Sequence, residues 1–487
     1  MTRSAQSVLT RLHSNAAVLA IASILFCAIP AAAQYAGAAA ATTTGSSAAG
    51  QTTQLTGSVP SGTATNGVLR LTLRDAVTDA LQYNLGSIES GQNIQIARGE
   101  RLLALSQLLP QISAGLSETA QQLSLATIGI KKALPGVPSV IGPFAYSLVQ
   151  ASATQTLFSY ESIQHFRAAR TAEEAANLSY RDILDSVTLI VGNAYLQAIA
   201  DSSHVEAQEA QVRIAKALYD QAVDQLQAGT APKIDVTRTE VQWHTEQYNL
   251  SVARNNFAIV KLALGRAIGL PLGQQYELAD TLPYSDINPP SLDDALRMAY
   301  ESRSDFLAAL DAQKAAAQAL AAARGERYPV VAASGNYGDV GETFGHSHGV
   351  FFVQGGVSVP VFTGGRIKGD ITVAEATLRK RKSESENLRG QVDYDIRSAF
   401  LNLSAAKEQV DVATRNVALA NENLARSKDR FTSGVTDSVE VVQAEQSLAS
   451  ANDQYIASLY DHNFAKLSLA RALGVARTNY QQYLGGK

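Results

Sequence analysis

The chain has 487 residues, only 17% of them charged, with a net charge of −4 and a single cysteine, Cys27. That balance excludes both a nucleic-acid partner and a solvated acidic tail. An exported chain with no cysteine beyond its amino terminus cannot use disulfides and must hold together by burial.

Arg3 and Arg11 precede an apolar run over 16–29, and Ala31, Ala32 and Ala33 offer small residues for cleavage. Residues 1–33 are therefore expected to be a secretory signal peptide. The run is shorter than the roughly 20 residues that span a bilayer, which argues against an anchor. Phe26 precedes Cys27 where lipid attachment would favour a small residue. Residues 34–70 are dominated by Ala, Gly, Ser, Thr and Gln, which bury too little surface to offset chain entropy, so a disordered leader is expected. Downstream there is no unbroken apolar run of transmembrane length, which leaves β-strands as the expected route into a membrane.

From here the chain occurs twice. Leu73, Ala76 and Ala80 open a short helix, and Leu292, Ala295 and Ala299 open its copy 219 residues later. The match runs ungapped to Pro110 and Pro329, each of which ends a second helix, at about 86–106 and 305–323. After each proline the apolar period changes to alternation, predicting hairpins over 110–158 and 329–362. In the later hairpin Phe351, Val353, Val357, Val359 and Val361 share one face, and Gln354, Gly356 and Ser358 share the other. That suits a barrel strand with lipid outside and water inside, the plainer alternative being a half-buried sheet in a soluble protein.

Each hairpin is followed by a long helix, a glycine turn and a returning helix, over 161–269 and 366–474. Ile396, Leu403, Val410, Val417, Leu424 and Phe431 stand seven residues apart, and Ala399, Ala406, Ala413, Ala420 and Ser427 follow by three. A repeat kept this long predicts a supercoiled rod of about 90 Å. At a shift of 205 the earlier copy carries Val191, Ala198, Val205, Val212, Tyr219 and Leu226, with Asp201 and Gln208 interrupting its alanine seam. The turns lie at Gly229 and Gly434, the returns stop at Gly269 and Gly474, a proline-containing linker fills 271–290, and 476–487 is a tail.

Four strands cannot close a barrel with a lumen, and helices with alanine seams on their edges need neighbours. Three copies close both layers at once. The expected fold is an α+β membrane protein: a homotrimeric 12-stranded β-barrel, four strands per chain, continued by a long α-helical barrel.

In the paired openers, in paired Pro110 and Pro329, in Pro360 followed by Gly364, Gly365 and Arg366, and in the two glycine turns, each followed six residues on by Asp235 or Glu440, the chain resembles the TolC-like outer-membrane efflux proteins. The resemblance spans nearly all of 71–473. It implies a homotrimer in the bacterial outer membrane with its helical barrel in the periplasm, docked to a periplasmic adaptor (membrane fusion) protein and an inner-membrane pump of RND or ABC type. The family often carries a tyrosine where this chain has Phe431, which cannot donate a hydrogen bond. The first junction, 156–160, lacks the proline and double glycine of the second.

A ring of three carboxylates at the narrow end would favour cations, and Glu440 and Asp437 are the candidates for that pore constriction. The plainer alternative is that they cap or electrostatically favour a helix start. Asp235 and Phe431 are candidate helix restraints at the periplasmic tip. Gly229, Thr230, Gly434 and Val435 are candidate adaptor-contact turns, or ordinary glycine turns. His346 and His348 are too few to hold a metal. No cofactor is implied, and no phosphate loop, His-Glu-x-x-His or nucleophile elbow suggests an enzyme. The expected function is passive outer-membrane conduction for a tripartite efflux system. Type I protein secretion is the alternative within that class, and a non-conducting exported scaffold the alternative outside it.

Overall fold

The computed structural model describes residues 55–60, 62–124, 139–271, 273–281, 284–343, 345–433 and 435–484. The expected signal peptide, residues 125–138 and Gly434 lie outside those residues. The first repeat starts with a reciprocal cap. The Thr72 hydroxyl accepts the Asp75 N–H, and the Asp75 carboxylate accepts from the Thr72 backbone, which opens α1 (Leu73–Tyr83). Asn84 caps α2 (Leu85–Ser106). After Pro110 come β2 (Gln111–Ser124) and β3 (Val140–Phe158), and then the hairpin of α3 (Tyr160–Gln227) and α4 (Lys233–Ile268). The second repeat has the same order: α5 (Leu292–Ser302), capped by Ser291, then α6 (Ser304–Gly325), β5 (Val330–Thr343), β6 (His346–Ser358), α7 (Arg366–Thr432) and α8 (Ser438–Ala472). With 68 and 67 residues, α3 and α7 are each about 100 Å long. Gly269 and Gly474 stop the returning helices in the left-handed region, at φ of 80° and 74°.

The duplication reappears in what is buried. One core cluster contains Ala76, Ala80, Val191, Ala198, Leu264, Ala267 and Ile268; a second contains their counterparts Ala295, Ala299, Ile396, Leu403, Leu469, Ala472 and Leu473. In α7 burial follows the seven-residue seam from Ile396 to Phe431. In the lower half of α3 it is rotated. The buried residues there are Gln208, Gln211, Ala215, Leu218 and Ala222, while Leu226 is exposed. The physical reason lies in its partners: Leu218 joins a cluster with Leu424, Phe431, Val441 and Leu448, and Tyr219 turns away to stack on Trp243 of α4, centroids 5.5 Å apart.

Some boundaries differ from those expected. The leader is not featureless to residue 70: Ser58 bridges Asn84, and β1 (Leu69–Leu71) pairs in parallel with β4 (Tyr276–Leu278). The linker thus contains a strand, because its apolar Tyr276 buries in the first cluster. The tail contains a further helix, α9 (Ala476–Leu484), whose Tyr480 and Leu484 pack with Val77, Leu196 and Leu467. The run of glycine, serine and histidine over 345–349 suggests the connecting loop of the second hairpin, yet residues 346–349 begin β6, since His346 pairs with Thr343. Among the described residues one helix, α3, is long and apolar enough by composition to cross a bilayer, although 61% of that window is buried inside the fold.

The equivalence of the two clusters has a measurable consequence. Leu264 and Leu469 are both fully buried, and Leu264→Ala and Leu469→Ala should each cost about 2–5 kcal/mol. Thermal unfolding followed by circular dichroism should show similar losses for both.

Candidate functional site

The four long strands form one antiparallel sheet in the order β2-β3-β5-β6. Its register places Leu116 beside Val149, Ile112 beside Ala153, and Tyr337 beside Phe351, so alternate residues gather on one face. Ile112, Leu116, Tyr337, Phe351, Val353 and Val357 on that face are all highly exposed, Phe351 at 79%. The opposite face carries Ser113, Gln150, Ser152, Asn336 and Gln354. There Ser113 and Ser152 hydroxyls lie 2.8 Å apart and Asn336 donates to Gln150 at 3.3 Å. An apolar face this exposed would be unstable in water and is matched to lipid. Both edges of the sheet, β2 and β6, lack a strand partner within the described residues.

The helical layer has matching unfinished surfaces. On α4, Ile234, Val241, Tyr248 and Leu262 fall on a seven-residue repeat and are 58–75% exposed. On α7, away from the buried seam, Tyr394, Leu401, Val412 and Leu419 are 56–72% exposed. These stripes have the spacing of coiled-coil seams without a partner.

At the tip the two helical hairpins are joined by polar contacts. The Ser438 hydroxyl donates to Asp235 Oδ1 at 2.7 Å, and Arg238 donates to both Asp235 Oδ1 and Ser438 Oγ at 3.1 Å. Asp235 is nearly buried, which strengthens such bonds. Phe431 is 4% exposed in the apolar cluster that also takes Leu218 from the other hairpin, so it holds by packing alone. Thr436 donates to Glu440 Oε2 at 2.6 Å, and Arg430 Nε stands 3.4 Å from Glu440 Oε1. Asp437 is the N-cap of α8, accepting the Val439 N–H at 3.2 Å. The structure therefore brings Glu440 into a local network and gives Asp437 the capping geometry. Gly229 turns with φ of 73°, Thr230 donates to the Gln225 carbonyl, and Val435 is 69% exposed. His346 and His348 stand at the start of β6, the former 3.5 Å from Thr343 Oγ1.

Three features were not singled out from the sequence. Arg303, 4% exposed, donates to Asp305 and to Asp395 of α7, clamping the α5–α6 corner. Arg238 completes the tip contact. Glu445 is 3% exposed, neither carboxyl oxygen has a partner, and burial pushes its carboxyl up to about 7. Its signal was present in the spacing: Ser438, Val441, Glu445 and Leu448 follow the three-and-four seam of α8, so an acid occupies a core position.

Compared with known families, residues 79–270 and 295–475 match the outer membrane efflux protein family. Among individual relatives, the toluene efflux pump outer membrane protein TtgF of Pseudomonas putida is 22% identical over 422 residues, covering 82% of this chain and 83% of that one. The alkaline protease secretion protein AprF of Pseudomonas aeruginosa is 21% identical over 337 residues, covering 66% and 69%. Among solved structures, the outer membrane protein VceC of Vibrio cholerae superposes with a TM-score of 0.72 at 18% identity, covering 82% of this chain and 96% of that one.

The two faces of the sheet predict opposite responses to the same charge. Val353→Arg puts a guanidinium on the apolar face and should cost about 2–4 kcal/mol of membrane stability near mid-bilayer, whereas Gln354→Arg on the polar face should cost little. Folding into lipid vesicles, scored by protease protection of the strands, distinguishes them. Equal tolerance would count against lipid contact.

Proposed function

The chain belongs to the outer membrane efflux protein family and is an outer-membrane efflux channel, and we propose that it conducts small molecules passively for a tripartite pump. Its four strands are one third of a twelve-stranded barrel of three chains, and its helical hairpins extend that barrel into the periplasm. The observation that carries the reading is the sheet itself, lipid-matched on one face, polar on the other and open at both edges. Joining β6 of one copy to β2 of the next pairs every edge and turns the polar face into a lumen. The exposed stripes of α4 and α7 meet in the same closure. These unpaired surfaces disfavour a soluble scaffold.

The inner-membrane partner is a pump of RND or ABC type, reached through a periplasmic adaptor that contacts the turns at Gly229, Thr230, Gly434 and Val435. Those turns are the free ends of the helical layer. Small-molecule efflux is preferred to protein export because the toluene efflux relative aligns over more of the chain than the protease secretion relative does. Glu440 supplies the charge of the constriction, as a ring of three carboxylates around the threefold axis, each held by Thr436 and Arg430. Asp437 adds negative potential there while capping α8. Asp235 and Phe431 restrain the closed tip, one by hydrogen bonds and one by burial.

Single-channel recording in planar bilayers tests this. The native protein should conduct with cation preference, and Glu440→Ala should weaken that preference. Asp235→Ala removes the acceptor shared by Ser438 and Arg238 and should raise the open-to-closed ratio by roughly five- to a hundredfold, a loss of about 1–3 kcal/mol in the closed contact. Conductance untouched by Glu440→Ala would move the constriction elsewhere. A protein that never conducts would sink the channel mechanism.

A further inference from the structure

Over its tip half the buried stripe of α4 is polar throughout: Asp235, Thr239, Gln242 and Glu246 are each at most 9% exposed. Asp235 is joined to Ser438 at the start of α8. Two turns further along α8 stands Glu445, with both carboxyl oxygens buried and unpartnered. Glu246 is not in that condition, since its Oε1 accepts from Gln242 at 2.7 Å and its Oε2 from Asn249 at 3.3 Å. A buried carboxylate with no donor is costly, and a second carboxylate nearby raises the cost.

We propose that Glu445 is a proton-operated latch between the two helical hairpins, joining the α4–α8 seam when protonated and loosening it when ionised. The role of that seam in opening rests on the channel mechanism above; the latch itself does not.

The groups around Glu445 set the direction. Burial is the largest influence and disfavours its charge. Lys428 of α7 favours it, and Glu246 of α4 opposes it. From α3 the neighbouring cluster offers Leu218 and Ile214, which are apolar, and the nearby Lys216 and Asp220 of α3 are paired with each other at the surface. The sum leaves the carboxyl protonated up to about pH 7, against an ordinary 4.5. A parted seam admits water and restores the ordinary value. The joined seam therefore binds the proton more tightly than the parted one. Its stability is unaffected well below pH 4.5, falls as pH rises from there, and reaches its full deficit above about 7. An acidic periplasm keeps the tip closed, and a neutral one primes it to open.

Glu445→Gln keeps the shape and removes the titration. The test is the rate at which proteinase K cuts the tip turns of the detergent-extracted trimer, taken as the ratio of native protein to Glu445→Gln at each pH, which cancels the protease's own pH dependence. Set to one at pH 5, the ratio should rise about 70-fold by pH 8. A flat ratio overturns the latch, whether or not the protein conducts; absence of conductance with a rising ratio would instead count against the channel mechanism. Glu246→Gln, with Glu445 intact, is the second variant and covers a Glu445→Gln protein that fails to assemble. Without the neighbouring carboxylate the native pH response should shrink, and an unchanged response overturns the proposal as well.

Discussion

A backbone edge cannot be left unpaired in hydrocarbon, and most of this structure follows from that rule. Among the described residues of one chain β2 and β6 each present a row of unpaired N–H and C=O groups, and water is not there to satisfy them. Closure through further copies is the remedy, and it fixes the rest. The same rotation that brings β6 to a neighbouring β2 must bring the stripe of Ile234, Val241 and Tyr248 to another helix, or leave it in water. A sheet and a helical layer that share one symmetry must be built from units of matching size, and here the unit is one hairpin of each kind, used twice.

The two copies of that unit share a core and differ at the tip. Midway along the long helices many of their buried residues correspond, from Val191 and Ile396 to Leu264 and Leu469. Toward the tip α7 and α8 bury Leu424, Phe431, Val441 and Leu448, whereas α4 buries Asp235, Gln242 and Glu246. Apolar contact is indifferent to small rotations of a helix. Hydrogen bonds such as that from Ser438 to Asp235 are directional, so the polar seam has a few discrete arrangements and can be switched.

Much of the fold could be read from residue order because the periods are long and doubled. A seven-residue repeat kept from Ile396 to Phe431 leaves few alternatives to a supercoiled helix, and its copy at a shift of 205 removes most of those. The strands were legible from the alternation after Pro110 and Pro329, although where the loop before β6 ended was not. Strand ends depend on cross-strand pairs such as Thr343 with His346, which local sequence does not encode. The rotated seam of α3 was hidden for the same reason, since Leu218 is buried by residues more than two hundred positions away. At the candidate site, Asp235 and Phe431 were found through the turns. Arg303, Arg238 and Glu445 were not, because their partners come from other elements, or because a buried acid looks like any other acid on a helix.

The unequal seams also bear on mechanical symmetry. Three chains of two near-equivalent halves give the helical barrel six similar spokes, yet only alternate spokes carry the polar stripe of α4. An assembly that looks sixfold near the membrane becomes threefold at its far end. Such a tip alternates joints lined by the buried polar stripe of α4 with joints built mainly on Leu424, Phe431, Val441 and Leu448, so solvent and pH act unequally on neighbouring joints around the same ring.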